Sequence, residues 1–146
     1  MMPVTQERTG FRDEALSRRH RLWGFNCPAT DVDLLMVEYD HGRPMALVEY
    51  KEYSARIAEP NAIKALCLLA NNSRIPFFVV RYLRDLSRFR SFAQNDFARG
   101  FLPTDGEALT ELEFVTLLYR LRGRRVPLDI AGNFDWEGRL MVEEAP

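Results

Sequence analysis

Hydrophobic residues along this chain recur with two periods, one of three to four residues and one of two, and the switches between them mark out its elements. From Thr9 to Gly24 the stretch TGFRDEALSRRHRLWG predicts a first helix. Asp13 and Glu14 fall in its opening turn, Phe11, Ala15 and Leu22 repeat at helical spacing, and Gly24 supplies a stop. The short FNCPAT (Phe25–Thr30) is a further extended candidate. Asp31–Asp40, DVDLLMVEYD, is aliphatic with a period of two at its ends and predicts a strand. HGRP suits a tight turn, and MALVEYKEY (Met45–Tyr53) returns as the antiparallel partner, making a hairpin. Pro60 opens a second helix whose apolar side carries Ile63, Leu66, Cys67 and Ala70. IPFFVVRYL (Ile75–Leu83) is a continuous apolar run, as in a strand buried on both faces. The helix before it is then a crossover, and the strand should lie parallel to one already in the sheet.

Beyond Leu83 the pattern weakens. Arg84–Glu107 is polar and broken by Gly and Pro, so it reads as loop with some helix. Thr110 with Glu113 makes a capping box for ELEFVTLLYRLRG, in which Leu112, Val115, Leu118 and Tyr119 form the expected stripe and Gly123 the stop. The tail from Val126 reads as irregular, with Phe134 and Trp136 expected to dock. The expectation is an α/β protein with a mixed central sheet flanked by helices. One domain spans residues 1–146, with its core at about 11–83 and a C-terminal helical extension and tail at about 84–146.

Composition narrows the class without naming a chemistry. With 146 residues, 47% hydrophobic and 28% charged, the chain has the make-up of a globular domain, and no apolar run is long enough to cross a bilayer. The opening MMPVTQERTG lacks the basic-then-apolar pattern of a secretory signal, so a cytoplasmic location is expected. Cys27 and Cys67 stand apart from any ligand cluster and read as packed free thiols. A net charge of −1 gives no bulk attraction to nucleic acid, but the arginines cluster in SRRHR, RYLRDLSRFR and RLRGRR. Guanidinium forks suit phosphate, and Tyr82, Phe89 and Phe92 interleave the second cluster with rings able to stack on bases.

The hairpin carries the chemistry. On the returning strand Leu47, Glu49 and Lys51 share one face and Ala46, Val48 and Tyr50 the other. By the same alternation Asp31 and Asp33 can turn toward Glu49 and Lys51. A same-face salt bridge is the simplest use of Glu49 and Lys51. A patch richer in carboxylates than in cations, however, calls for a counter-ion when it is buried. Mg²⁺ or Mn²⁺ meets that need with one or two carboxylates. Asp33 and Glu49 would be ligands, the main-chain carbonyl of Tyr50 a third, and Asp31 a further candidate. Lys51 would then orient water or neutralise a phosphate.

A helix, TDVDLL, a turn, ALVEYK, a helix and an apolar strand together resemble the PD-(D/E)xK nuclease superfamily. That superfamily has the restriction-endonuclease-like fold and includes resolvases and phage-type nucleases. The resemblance spans about Phe11 to Leu83 and rests on Val32-Asp33 and Glu49-Tyr50-Lys51. It implies an α-β-β-β-α-β core with a short first strand, a Mg²⁺-dependent nuclease hydrolysing DNA phosphodiester bonds, and catalytic roles for Asp33, Glu49 and Lys51. Glu14 on the first helix would add a fourth residue, a third acid. Asp31 stands where the family often has Gly or Ser, and the second helix lacks the Gln-x-x-x-Tyr pair of the exonuclease branch. Arg18, Arg19, His20, Arg81, Tyr82 and Arg84 are the expected contacts to duplex or branched DNA, and pairing into a homodimer is expected by analogy. The alternative expectation is a module of the same fold that binds nucleic acid or protein without catalysis.

Overall fold

A computed structural model describes residues 14–23, 30, 32–55, 60–101 and 105–142. The chain divides into two compact units, Met1–Asp31 and Val32–Pro146. In the first, α1 spans Glu14–Leu22, inside the expected helix. The second holds a five-stranded sheet of β1 (Leu34–Glu38), β2 (Arg43–Glu52), β3 (Phe77–Tyr82), β4 (Phe89–Ala93) and β5 (Ala108–Leu109), in that spatial order. Its helices are α2 (Pro60–Ser73), α3 (Asp96–Arg99), α4 (Glu111–Leu121) and α5 (Leu128–Ala131).

β1 and β2 form the expected antiparallel hairpin. Its loop falls earlier than HGRP: Gly42 turns the chain with a φ of +59° and Arg43 and Pro44 already belong to β2. The register shifts between Met36 and Val37, leaving Met45 as the extra residue of a bulge, where a proline such as Pro44 is tolerated. A crossover through α2 brings β3 alongside β2 in parallel, Val48 facing Phe78 and Lys51 facing Arg81.

The expected α/β class and mixed sheet are present, and one detail of the order differs. Among the described residues no strand precedes β1; most of FNCPAT lies outside them. Residues 84–107, expected as loop with some helix, supply β4 as well as α3. β4 pairs antiparallel with the free edge of β3, and β5 in turn with β4. Their connection closes tightly at Gly106, whose φ is +76° and where an added Cβ would lie 2.7 Å from the Phe92 ring.

Both faces of the sheet are covered, unequally. On one, Ala46, Val48, Phe78, Val80 and Phe89 pack with Ala98 and with Phe114, Leu117 and Leu121 of α4. Phe89 stacks on Phe114 with ring centroids 4.6 Å apart, so it is core rather than a platform for bases. The stripe on α4 is correspondingly Phe114, Leu117 and Leu121, with Leu118 packed at its margin, not the Leu112, Val115, Leu118 and Tyr119 series. The Thr110–Glu113 capping box forms as expected. Gly123 donates to Arg120 O and Arg124 to Tyr119 O, closing α4 in a Schellman motif. On the opposite face Leu66 and Ala70 of α2, with Ile63 and Cys67, cover Leu47, Ile75, Phe77 and Val79. Cys67 is a free thiol there, donating to Gln94 O. In the tail Phe134 bridges to Leu140, whereas Trp136 is 92% exposed and does not dock.

Buried Asn95 ties these layers together. Its Oδ1 accepts from Phe77 N at 3.1 Å and from Ala98 N at 3.0 Å, capping α3, and its Nδ2 donates to Ile75 O at 2.9 Å. Asn95→Ala strands buried main-chain groups on both elements and is expected to lower unfolding free energy by about 2–4 kcal/mol in urea titrations. The same change at exposed Asn72 should shift it by less than about 0.5 kcal/mol.

Candidate functional site

α2 covers only part of its face of the sheet. The apolar cluster beneath it includes Leu47, Phe77 and Val79, and the next positions along β2 on that face are Glu49 and Lys51. Asp33 joins them. β1 pairing begins at Leu34 opposite Val48, so one step further back sets Asp33 opposite Glu49, and residues directly opposite share a face.

A hydrogen bond fixes Asp33 at that place. Leu47 N and Tyr53 N donate to β3-side carbonyls, so by alternation the N–H and C=O of Tyr50 turn toward the β1 edge, where the ladder has ended. The Asp33 side chain takes over, its Oδ2 accepting from Tyr50 N at 2.8 Å. The Tyr50 carbonyl is thereby directed to the same edge as the Asp33 carboxylate.

Glu49 is the buried member, 8% exposed, while Asp33 is exposed. Lys51 Nζ lies 3.6 Å from Glu49 Oε1, an ion pair beyond hydrogen-bonding distance; Glu49 Oε2 is buried and accepts no hydrogen bond from a donor, and the Asp33 carboxyl is close to the Glu49 carboxyl. Burial raises the proton affinity of Glu49 above the ordinary carboxylate value, the neighbouring charge of Asp33 raises it further, and Lys51 opposes both without cancelling them. One ammonium against two carboxylates leaves this cluster short of positive charge. Among the described residues no group of three or more His, Cys, Asp or Glu side chains gathers where it could hold a metal; this cluster contributes two acids.

Among the other expected residues, Arg81 shares the face of this cluster and Tyr82 does not. Arg81 stands beside Lys51 on the same face and donates to Tyr53 O at 3.1 Å. Tyr82 faces the other way, edge-on to Tyr50 at 6.2 Å. Arg84 is exposed in the turn after β3, and its charge helps hold the Glu52 carboxyl below its usual range, behind the larger effect of the Ser54 hydroxyl. Glu14, Arg18, Arg19 and His20 are on α1 in the other unit, Arg18 and Arg19 exposed and the Glu14 and His20 side chains outside the described residues; Asp31 also lies outside them. Arg90, part of the RYLRDLSRFR cluster though not among the expected DNA contacts, lies on this face as well. It faces Arg81 across the β3–β4 ladder, extending the row of cations that starts at Lys51. Its signal in the sequence is the alternation of Arg88, Phe89 and Arg90.

Because folded Glu49 holds its proton more tightly than the unfolded chain does, the linked stability is complete below the ordinary carboxylate range and is lost as pH rises through the raised value. With EDTA present, wild-type stability relative to Glu49→Gln is therefore expected to decline from about pH 4 toward neutrality. Glu38, Glu52 and Asp85, whose carboxyls are held low, act with the opposite sign but equally in both proteins. Thermal melts of the two across pH measure the difference, and a flat difference would contradict the assignment. No protein-family model, curated protein or solved structure matches the chain, so its chemistry has to be read from these side chains.

Proposed function

We propose that this protein is a metal-dependent nuclease of the PD-(D/E)xK type, hydrolysing DNA phosphodiester bonds at Asp33, Glu49 and Lys51. What carries the reading is the buried Glu49 carboxyl, whose Oε2 accepts no hydrogen bond from a donor and whose neighbours are a second carboxylate and an ammonium. A buried carboxylate in that position is costly in the absence of a cation. The donor set, two carboxylates and a main-chain carbonyl aimed at the same edge, fits Mg²⁺ or Mn²⁺, which is commonly held by one or two carboxylates and otherwise by waters and substrate phosphates. The element order supports it too: the acids and the lysine lie on an antiparallel hairpin followed by a helix and a parallel strand.

Asp33 and Glu49 would hold the ion, with Tyr50 O. When bound, it would acidify the attacking water and draw charge from the phosphate oxygens. Asp33 is pre-positioned by its bond to Tyr50 N, so little ordering remains when substrate arrives. Lys51, partly exposed with a side chain at 26%, can reach out from Glu49 to orient the water or to hold a non-bridging phosphate oxygen as negative charge accumulates. Water adds to phosphorus, the P–O bond to the leaving sugar oxygen breaks, and that oxygen takes up a proton. The small number of acids gathered among the described residues favours a second reading, a module that binds nucleic acid or protein through the same sheet without cutting.

Incubating the protein with supercoiled, linear, branched and single-stranded DNA separates the two. Cleavage is expected only with Mg²⁺ or Mn²⁺, and Lys51→Ala and Glu49→Gln should each slow it by about 100-fold or more. A wild type that leaves every substrate intact, or a Lys51→Ala variant as fast as wild type, refutes the nuclease.

A further inference from the structure

We propose that Arg81, Arg88 and Arg90 form a binding pocket for a nucleic-acid backbone phosphate, beside the carboxylate cluster and on the same face of the sheet. The identity of the anion rests on the nuclease reading; the pocket itself rests on geometry. Lys51, Arg81 and Arg90 are directly opposite one another across β2, β3 and β4, and so rise from one face at successive strand spacings of about 4.8 Å. Leu83 N donates to Arg88 O, which extends the β3–β4 pairing by one residue and places Arg88 in the next row on that face. A pocket of about 110 Å³ opens there, lined by Tyr53, Arg81, Leu83, Arg88, Arg90 and Ala108. Three of its six lining residues are arginines and none is acidic.

The charges in it are uncompensated. Each guanidinium is steered by a main-chain carbonyl: Arg81 Nη1 donates to Tyr53 O at 3.1 Å, Arg90 Nη1 to Gly106 O at 3.4 Å and Arg88 Nη1 to Ser87 O at 2.7 Å. A neutral carbonyl orients a guanidinium without neutralising it, and each retains further N–H donors. Among the described residues none of the three is ion-paired, whereas Arg99 pairs with Asp96 and Arg122 with Glu38. Converging like charges repel unless an anion lies between them. A phosphate, with several acceptor oxygens, is the anion that guanidinium forks match in geometry as well as charge. The row from Lys51 to Arg90 then gives the backbone a path from this pocket to Asp33 and Glu49.

The test is binding without cutting. Affinity of the full chain for a fluorescein-labelled single-stranded DNA oligonucleotide is measured by anisotropy in EDTA over a range of KCl. Arg81→Gln/Arg90→Gln is expected to weaken binding about tenfold and to reduce the slope of log affinity against log salt by about 0.7, the contribution of one phosphate on a single strand. Arg81→Lys/Arg90→Lys should keep the slope, since the charges remain, while losing part of the affinity. Melting curves confirm that the variants fold, and Arg88→Gln, at an exposed side chain, provides an independent reading of the same slope. An unchanged slope in the Gln variants overturns the pocket. So does inorganic phosphate that binds wild type but not the Gln variants while oligonucleotide binding stays the same in all of them, because the site then serves a free anion. A wild type that binds with the expected slope and cuts nothing leaves the pocket standing and removes the nuclease. A wild type that cuts while the Gln variants keep its slope does the reverse.

Discussion

β2 is hydrogen-bonded along both edges, antiparallel to β1 and parallel to β3, and this double pairing dictates where its side chains can go. Ala46, Val48 and Tyr50 are committed to the α4 side, and Leu47, Glu49 and Lys51 to the α2 side. A slip of one residue would drive Glu49 among Val80, Phe89 and Phe114, at a cost of several kcal/mol for an unpaired buried carboxylate. The register is therefore protected by the apolar core, and the polar cluster inherits that protection.

The unequal cover makes room for chemistry. α4 lies over a continuous apolar cluster from Ala46 to Phe89, while the apolar residues beneath α2 end at Leu47, Phe77 and Val79. Beyond that limit the same face carries first a local excess of negative charge, at Asp33 and Glu49, and then a local excess of positive charge, at Arg81, Arg88 and Arg90. Ordinary ion pairing would have cancelled both, as it does for Arg122 and Glu38. They are held apart by strand geometry, with Lys51 between them; on the proposed reading a cation would occupy one region and a phosphate the other, the two charged components that phosphodiester hydrolysis brings together.

Several elements are legible locally. The hairpin, α2, β3 and the capped start of α4 each announce themselves within one window, through a period of two, an apolar helix face, an unbroken apolar run and the Thr110–Glu113 pair. The pairing of Glu49 with Lys51 follows from the same arithmetic. FRSFA does not announce β4, because its inward Ser91 is polar and Phe92 on the other face is apolar; it is a strand because the outer edge of β3 offers unpaired main-chain groups. On α4, Phe114, Val115, Leu117, Leu118, Tyr119 and Leu121 are apolar almost all round, so periodicity alone cannot choose the buried stripe. Trp136, large and apolar, suggested docking, yet it stays in solvent.

The sequence by itself determined the alternation that puts Glu49 and Lys51 on one face, since a strand's period of two depends on nothing outside the strand. It also determined the order of hairpin, helix and parallel strand, through apolar runs and turn residues. Only the tertiary structure decided that Asp33 meets Glu49, because that depends on where β1 pairing stops and a side chain replaces the ladder at Tyr50 N. It alone decided that Arg81, Arg88 and Arg90 share a pocket with no acid in its walls. Such convergence comes from register between strands, and register is set by which faces the core can bury, a property of the whole sheet rather than of any one segment.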